Sequence, residues 1–230
     1  MPNEGVEQIV NRQVEVWNKE RRTRDSAGLQ GDLRPCITIS REFGSLGAKV
    51  GEQVAERLGF TFDDQDVITR IAETEHVRRA VLESVDERVR DRMTEWIAEQ
   101  FGGGRLTSSR FLKALTSVIL TIGHHGKAVI IGRGSQFLLK PEKTLRVRAY
   151  APTAFRIQQI MAGRGLSRSE AEALVDEVDN QRRDFYAEHF NKDWADPGHY
   201  DLLVNMATYS VEHATQIVVE AFNLRFGLHG

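Results

Sequence analysis

The sequence predicts an α/β protein built on a parallel sheet, and three observations lead to this prediction. Short apolar and β-branched runs alternate with longer stretches of helical periodicity along the 230 residues. The run from Ala128 to Ile131 is apolar throughout, which is typical of a strand buried on both faces of such a sheet. The run from Ile37 to Ile39 leads into a glycine-bearing turn and then a helical pattern. Because these sheets bind ligands at the carboxyl ends of their strands, we expect the site there.

The other elements follow from periodicity and from capping residues. Ser167 and Glu170 have the spacing of a capping box and predict the start of a helix that runs to about 190. Asp64 can cap a helix that begins at Gln65. The glycines at 102–104 predict a sharp helix end, and GHHG at 123–126 predicts a turn. Further strands are predicted at 60–62, 144–150 and 201–205, and further helices at 50–58, 77–101, 111–122, 153–163 and 211–222.

Residues 1–34 are predicted to be a separate amphipathic helix and linker, followed by one domain over 35–230. Val6, Val10, Val14 and Trp17 recur at helical spacing, and a charged segment that bears Gly28 and Gly31 follows them. Two interpretations stay open. The helix either packs on its own chain or forms the contact of a homodimer.

Composition excludes several classes of protein. A net charge of −2 argues against a general nucleic-acid binder. No run of 18 apolar residues and no signal peptide are found, so we expect no membrane segment. Cys36, the single cysteine, cannot form an internal disulfide, which favours a reducing cytoplasmic location and a buried structural thiol.

The turn after the first predicted strand carries part of a phosphate-binding motif. Candidate ligand-binding residues are Arg41, Gly44, Ser45, Leu46, Gly47, Ala48 and Lys49. Turn glycines let amide groups point inward, and the positive end of the following helix faces the anion. Against the Walker A pattern G-x-x-x-x-G-K-[ST], however, Glu42 replaces the first glycine, Ala48 the lysine and Lys49 the hydroxyl residue. An ordinary tight strand–helix connection is the alternative.

Charged residues also follow other predicted strands. Arg133, between Gly132 and Gly134, can fork onto a phosphate or pair with a nearby acid. Asp64 either caps its helix or, with Arg70, contacts a ligand. Arg41 and Glu42 either reach the cleft or remain solvated.

The segment 165–198 has the composition of a lid. Asp179 and Arg183 form an i,i+4 pair next to Arg182, and aromatic residues, a proline and a glycine follow. Such a segment can carry arginines over transferring phosphates, although a charged helix is usually a solvated face. The histidines have no metal-ligand spacing, so no metal site is assigned to side chains.

Taken in order, these segments resemble the cytidylate kinase-like proteins, a divergent branch of the P-loop nucleoside monophosphate kinases. The matching segments, which fall within about 36–223, are ITISREFGSLG, FDDQDVITR, VIIGRG, APTAFRIQQIM-x-x-RGLS, DNQRRDFY and W-x-DP-x-x-YDLLVN. The resemblance implies a three-layer P-loop NTPase fold with a five-stranded parallel sheet, ATP and Mg²⁺, and phosphoryl transfer to a pyrimidine monophosphate.

The resemblance also assigns roles to individual residues. Gly44, Ser45, Gly47 and Lys49 match the donor-phosphate loop. Asp64, Arg70 and Arg133 match residues that bind the acceptor, and Arg182 and Arg183 match the lid arginines. The family's acceptor aspartate is replaced by Gly134, and Gln65, Asp66 and Thr69 depart from the acceptor segment.

The hypothesis from the sequence is therefore a nucleoside monophosphate kinase, with Arg182, Arg183 and Lys49 as catalytic residues. The alternative is a nucleotide-binding regulatory or interaction module that kept the fold and lost catalysis, which the displaced lysine favours.

Overall fold

The computed structural model describes residues 3–27, 34–101 and 109–227. They divide into two compact units. The sheet unit comprises the described residues of 35–64 and 127–230, and the helical unit comprises those of 1–34 and 65–126. The α-helices are α1 (Asn3–Ala27), α2 (Gly47–Leu58), α3 (Gln65–Glu73), α4 (Glu75–Glu83), α5 (Glu87–Phe101), α6 (Arg110–His125), α7 (Ser135–Leu138), α8 (Thr153–Arg164), α9 (Arg168–Phe190) and α10 (Val211–Phe226). Short 3-10 helices cover Pro141–Lys143 and Pro197–His199.

The sheet unit is built on five parallel strands in the order β2-β3-β1-β4-β5, which confirms the predicted α/β fold. The strands are β1 (Cys36–Arg41), β2 (Thr61–Asp63), β3 (Ala128–Ile131), β4 (Thr144–Tyr150) and β5 (Leu202–Asn205). After β3 the chain crosses β1 and continues on its other side. The carboxyl end of β1 is therefore the topological switch point, where ligands of such sheets bind.

One face of this sheet packs on α2 and α10. Ile37 and Ile39 of β1 are buried in one core cluster with Val54 of α2 and with Val218 and Phe222 of α10. Because strand side chains alternate between faces, Arg41 lies on the same face as these isoleucines. Cys36, on the opposite face, is buried, and burial raises the pKa of its thiol to about 12, which fits a structural thiol.

The helical unit contains α1 and α3–α6. Trp17 of α1 stacks on the ring of His125 with centroids 4.2 Å apart, and Glu7 of α1 contacts His76 at 3.1 Å. His125 Nε2 lies 2.7 Å from the hydroxyl of Ser84, which is itself the donor to Val81 O. The N-terminal helix therefore packs on its own chain, and the homodimer contact stays a prediction.

Several predicted boundaries match the structure, and others do not. β3, β4 and the capping box at Ser167 are confirmed. The prediction of one continuous helix over 77–101 is wrong. The Ser84 hydroxyl donates to Val81 O at the end of α4, and the Asp86 carboxylate accepts the amide of Val89 at the start of α5. The turn predicted at 123–126 is also wrong, since α6 continues to His125. The glycines at 28, 31 and 102–104 lie outside the described residues.

Candidate phosphate-binding site

The connection from β1 to α2 has the backbone geometry of an anion-binding loop. Gly44 and Leu46 both have positive φ, 80° and 64°, and Leu46 is the N-cap of α2. The first amide of α2 with a helical acceptor is that of Val50, which bonds to Leu46 O at 3.2 Å. The amides of residues 47–49 therefore have no acceptor within the helix. Alternating turn conformations ahead of a helix N-terminus form a concave set of N–H donors that suits phosphate.

Gly47 allows the loop to approach the sheet closely. A Cβ atom at this position would lie 2.6 Å from the Cβ of Ala149 and 2.8 Å from the Cβ of Arg41. Contacts this short exclude any side chain. The start of α2 is therefore fixed directly against the ends of β1 and β4.

Ser45 places a hydroxyl group inside the loop. The residue is fully buried, and within the described residues its Oγ has no hydrogen-bond partner. Buried hydroxyl groups in native proteins are nearly always satisfied. An oxygen atom of a bound anion would provide the missing partner.

Four charged residues stabilise the loop through hydrogen bonds and ion pairs. We call them the buttress cluster: Glu42, Arg148, Arg156 and Asp179. Glu42 accepts the amide of Ala151 at 3.0 Å and Arg148 Nη2 at 3.1 Å. Asp179 of α9 accepts the loop amide of Phe43 at 3.0 Å and forms an ion pair with Arg156. Glu42 thus stabilises the loop at the position where the Walker A motif has its first glycine. The sequence gives only a weak indication that Arg148 has a structural role: it is a charged residue between Val147 and Ala149, which are both buried.

Three further arginines form what we call the cationic cluster: Arg41, Arg133 and Arg182. Arg182 Nη1 of α9 donates to the backbone carbonyl of Arg41 at 3.0 Å. Burial, then the charge of Arg41 and to a lesser degree that of Arg133, lower the pKa of Arg182 to about 10 against the opposing effect of Asp179. The Arg182 guanidinium is thus near enough to be repelled by the charges of both Arg41 and Arg133. A cluster of this kind favours an anion between its members.

Arg133 is presented by a strained turn after β3. Gly132, Arg133 and Gly134 all have positive φ, at 69°, 55° and 74°. Such a conformation is unfavourable for arginine, and backbone strain of this kind is concentrated at functional sites. The guanidinium carbon lies 5.9 Å from the ring centroid of Phe185 on α9. Within the described residues, Nε of Arg133 has no hydrogen-bond partner.

The residues after Arg133 add buried polar groups that the sequence interpretation missed. Ser135 and Gln136 are almost fully buried, and their side-chain polar atoms have no partner in the part of the chain that the structure describes. Their only sequence signal is their position after the glycine turn.

Other predicted site residues lie elsewhere. Lys49 is exposed on the first turn of α2. Arg183 is exposed and donates to Asn180 Oδ1 on its own helix. Asp64 is half-buried just after β2, and Arg70 lies on α3 in the helical unit. Ala48 is half-buried beside Lys49. The roles expected of Lys49, Arg183, Asp64 and Arg70 stay predictions.

Metal-ligand clusters and membrane-spanning helices are both absent from the described residues. No three His, Cys, Asp or Glu side chains among them gather as metal ligands would. Every helix in the described ranges is too short or too polar to cross a bilayer.

A parallel sheet whose first strand leads through an anion-binding loop into a helix defines an α/β protein of the P-loop class. The chain belongs to the cytidylate kinase-like family, whose model matches residues 36–208. This confirms the resemblance found in the sequence, and the family and fold are those of a phosphotransferase.

Solved structures add a comparison of the fold. An uncharacterized protein from Eubacterium ventriosum is 19% identical with a TM-score of 0.65, and the match covers 83% of this chain and 98% of that one. Shikimate kinase from Acinetobacter baumannii, in complex with shikimate, is 16% identical with a TM-score of 0.46, over 84% of this chain and 95% of that one. No curated protein matches the chain.

Proposed function

We propose that this protein transfers the γ-phosphoryl group of ATP to a nucleoside monophosphate, of which CMP or dCMP is the expected kind. The observation that carries the proposal is the presence, in one compact unit, of the amide-lined loop with its buried Ser45 hydroxyl and the cationic cluster. Loop amides suit donor phosphates, and guanidinium groups suit the charge of a group in transfer.

Each part of the site has a separate task in this proposal. The loop over 44–49 binds the donor phosphates through its amides and Ser45 Oγ. Arg133 holds the acceptor phosphate, with Asp64 as a further acceptor contact. Arg182 and Arg183 neutralise the transferred group. Phosphoryl transfer depends mainly on positioning and charge stabilisation, so no covalent intermediate with the protein is required.

Mg²⁺ fits this site through oxygen ligands. The ion usually takes most of its ligands from phosphates and water, with one or two carboxylates from the protein. Asp64, half-buried directly after β2 in the sheet unit, offers a carboxylate of the required type. When bound, Mg²⁺ would neutralise charge on the donor phosphates.

The direct test measures ADP release in a coupled assay with ATP, Mg²⁺ and each common nucleoside monophosphate in turn. We expect turnover with at least one pyrimidine monophosphate and its loss in Arg133→Gln, because that variant removes the acceptor's cation. Absence of turnover with every monophosphate at high enzyme concentration would contradict the kinase assignment.

A catalytically impaired nucleotide-binding module is the second candidate. Ala48 at the lysine position is the observation that favours it. Isothermal calorimetry separates the two proposals, because a module of this kind binds ATP tightly and shows no turnover.

A cytoplasmic location and a homodimer through α1 belong to the same proposal. The exposure of Val16 on α1, at 50%, leaves apolar surface for such a contact. Sedimentation equilibrium of the chain and of Val16→Glu tests the dimer, which the charged variant would dissociate.

A further inference from the structure

A P-loop of standard sequence has a lysine directly after its last glycine, and that lysine contacts the β- and γ-phosphates. Here the corresponding residue is Ala48, which carries no charge. The next residue, Lys49, is exposed, and in the described part of the chain no hydrogen bond or ion pair fixes its ammonium group. The loop therefore requires a cation from outside its own motif if it is to hold a triphosphate.

Arg41 begins beside Gly47, the residue directly before the position of that lysine. It is the last residue of β1 and lies on the face of the sheet that packs on α2. The Cβ of Arg41 would be only 2.8 Å from a Cβ built on Gly47, the residue directly before Ala48.

The electrostatic setting of Arg41 also favours an anion. The residue is only 9% exposed, and arginine keeps its charge when buried. The charges of Arg41 and of the neighbouring Arg182 repel each other. Arg182 is held there by its bond to the carbonyl of Arg41. A polyphosphate bound at the loop would offset that repulsion.

We propose that Arg41 supplies the positive charge that lysine gives to the β- and γ-phosphates of ATP in a standard P-loop. This inference rests on the proposed ATP-binding function. A guanidinium fork can bond two phosphate oxygens at once, so it can replace an ammonium group from a different starting point. Arg41 is then a catalytic residue, and Lys49 is not the replacement for the lost lysine.

The test compares the affinities for ATP and AMP by isothermal calorimetry. In Arg41→Gln we expect ATP binding to weaken by about tenfold to a hundredfold, the range that a charge-assisted hydrogen bond gives. AMP lacks the β- and γ-phosphates, so its affinity should change by less than about twofold on this scale. Adding Ala48→Lys to Arg41→Gln restores the standard lysine and should recover most of the lost ATP affinity.

Arg57→Gln is the matched control, because Arg57 is an exposed arginine at the other end of the same helix. Arg41→Met is a second neutral variant for use if Arg41→Gln does not fold, and urea unfolding identifies the folded variants. The proposal is overturned if a folded neutral variant binds ATP as tightly as the unsubstituted chain, or if Lys49→Gln shows the selective loss instead.

The outcomes also separate this inference from the proposed function. If the unsubstituted chain binds ATP and the Arg41 variants bind it equally, only the role of Arg41 is refuted. If the unsubstituted chain binds no ATP at all, the proposed function is refuted, and the role of Arg41 with it.

Discussion

The buttress cluster and the cationic cluster lie in the same unit and share a helix turn, yet their charges are arranged in opposite ways. Asp179 and Arg182 are three residues apart on α9, with an N–O distance of 3.7 Å. In the buttress cluster, Glu42 and Asp179 each face arginines and also accept backbone amides. In the cationic cluster, Arg41 and Arg133 both disfavour the charge of Arg182, and Asp179 is the only acid among the described influences on that residue.

This difference separates structural charges from binding charges. A buried ion pair is stable only when each charge has an opposite charge and its hydrogen bonds. The buttress cluster meets that condition without any ligand and fixes the shape of the loop. In the cationic cluster the charges of Arg41 and Arg133 both disfavour that of Arg182, and a bound polyphosphate would offset this repulsion. Removing a charge should therefore destabilise the first cluster much more than the second.

The largest effect on stability is expected from Arg156→Met. This change leaves the buried Asp179 and the half-buried Glu42 without one of their cations, which costs about 3 to 5 kcal/mol of unfolding free energy. Urea unfolding provides the measurement, with Arg164→Met as the control because Arg164 is exposed on the last turn of the same helix. A loss equal to that of the control would show that the buttress cluster is not structural.

The second-largest loss of stability is expected from Gly134→Ala, because the turn that presents Arg133 packs tightly on α9. A Cβ there would lie 2.1 Å from Phe190 Cζ, and φ is +74°. Backbone strain and overpacking together cost about 2 to 4 kcal/mol. Gly165→Ala is the matched control, since its φ is +67° and nothing lies within 4 Å, so only the strain of about 1 to 2 kcal/mol remains. Equal losses in urea unfolding would disprove the clash with Phe190.

A smaller, pH-dependent effect is expected at Asp201, an exposed residue that binds Arg146 and Arg225. Burial alone would raise the pKa of Asp201, but the hydrogen bonds from Arg146 outweigh it and the pKa is lowered. Its stabilisation is therefore present above the usual aspartate pKa and is lost as the pH falls through the lowered value. Asp201→Asn should cost about 1 kcal/mol at pH 7 and nothing in strong acid.

Unfolding curves of Asp201→Asn at pH 7 and at pH 2.5 measure this difference. Asp176→Asn, on the exposed face of α9, is the control. A loss that persists undiminished at the lower pH would mean that the ionised carboxylate is not its source.

Arg182→Met should have the smallest effect on stability. The change loses the bond to the Arg41 carbonyl but also removes repulsion and the burial of a charge, so the free energy of unfolding should shift by about 1 kcal/mol or less. ATP affinity, measured by calorimetry, should still fall by about tenfold or more. A loss of stability as large as that of Arg156→Met would remove the distinction between the two clusters.

Much of the site could be predicted from local signals. The run from Ile37 to Ile39 with the glycine turn after it located the loop, and Gly132 and Gly134 drew attention to Arg133. The buttress cluster could not be found in this way, because Arg148 and Glu42 are 106 residues apart. The local sequence around either residue does not indicate that the other is its partner. Lys49 is a different case. The resemblance assigns it a catalytic role that stays a prediction, and the structure places it exposed on the first turn of α2.

By itself, the sequence determined most of the order of strands and helices, the capping box at Ser167, and the place of the loop. These depend on periodicity, on side-chain hydrogen bonds a few residues apart and on glycine backbone freedom, all of which act locally. Only the tertiary structure decided that Asp179 closes the buttress cluster while Arg182 joins Arg41, which is 141 residues away. Charges interact through space, so their partners depend on how the parallel strands and α9 pack and not on their order along the chain.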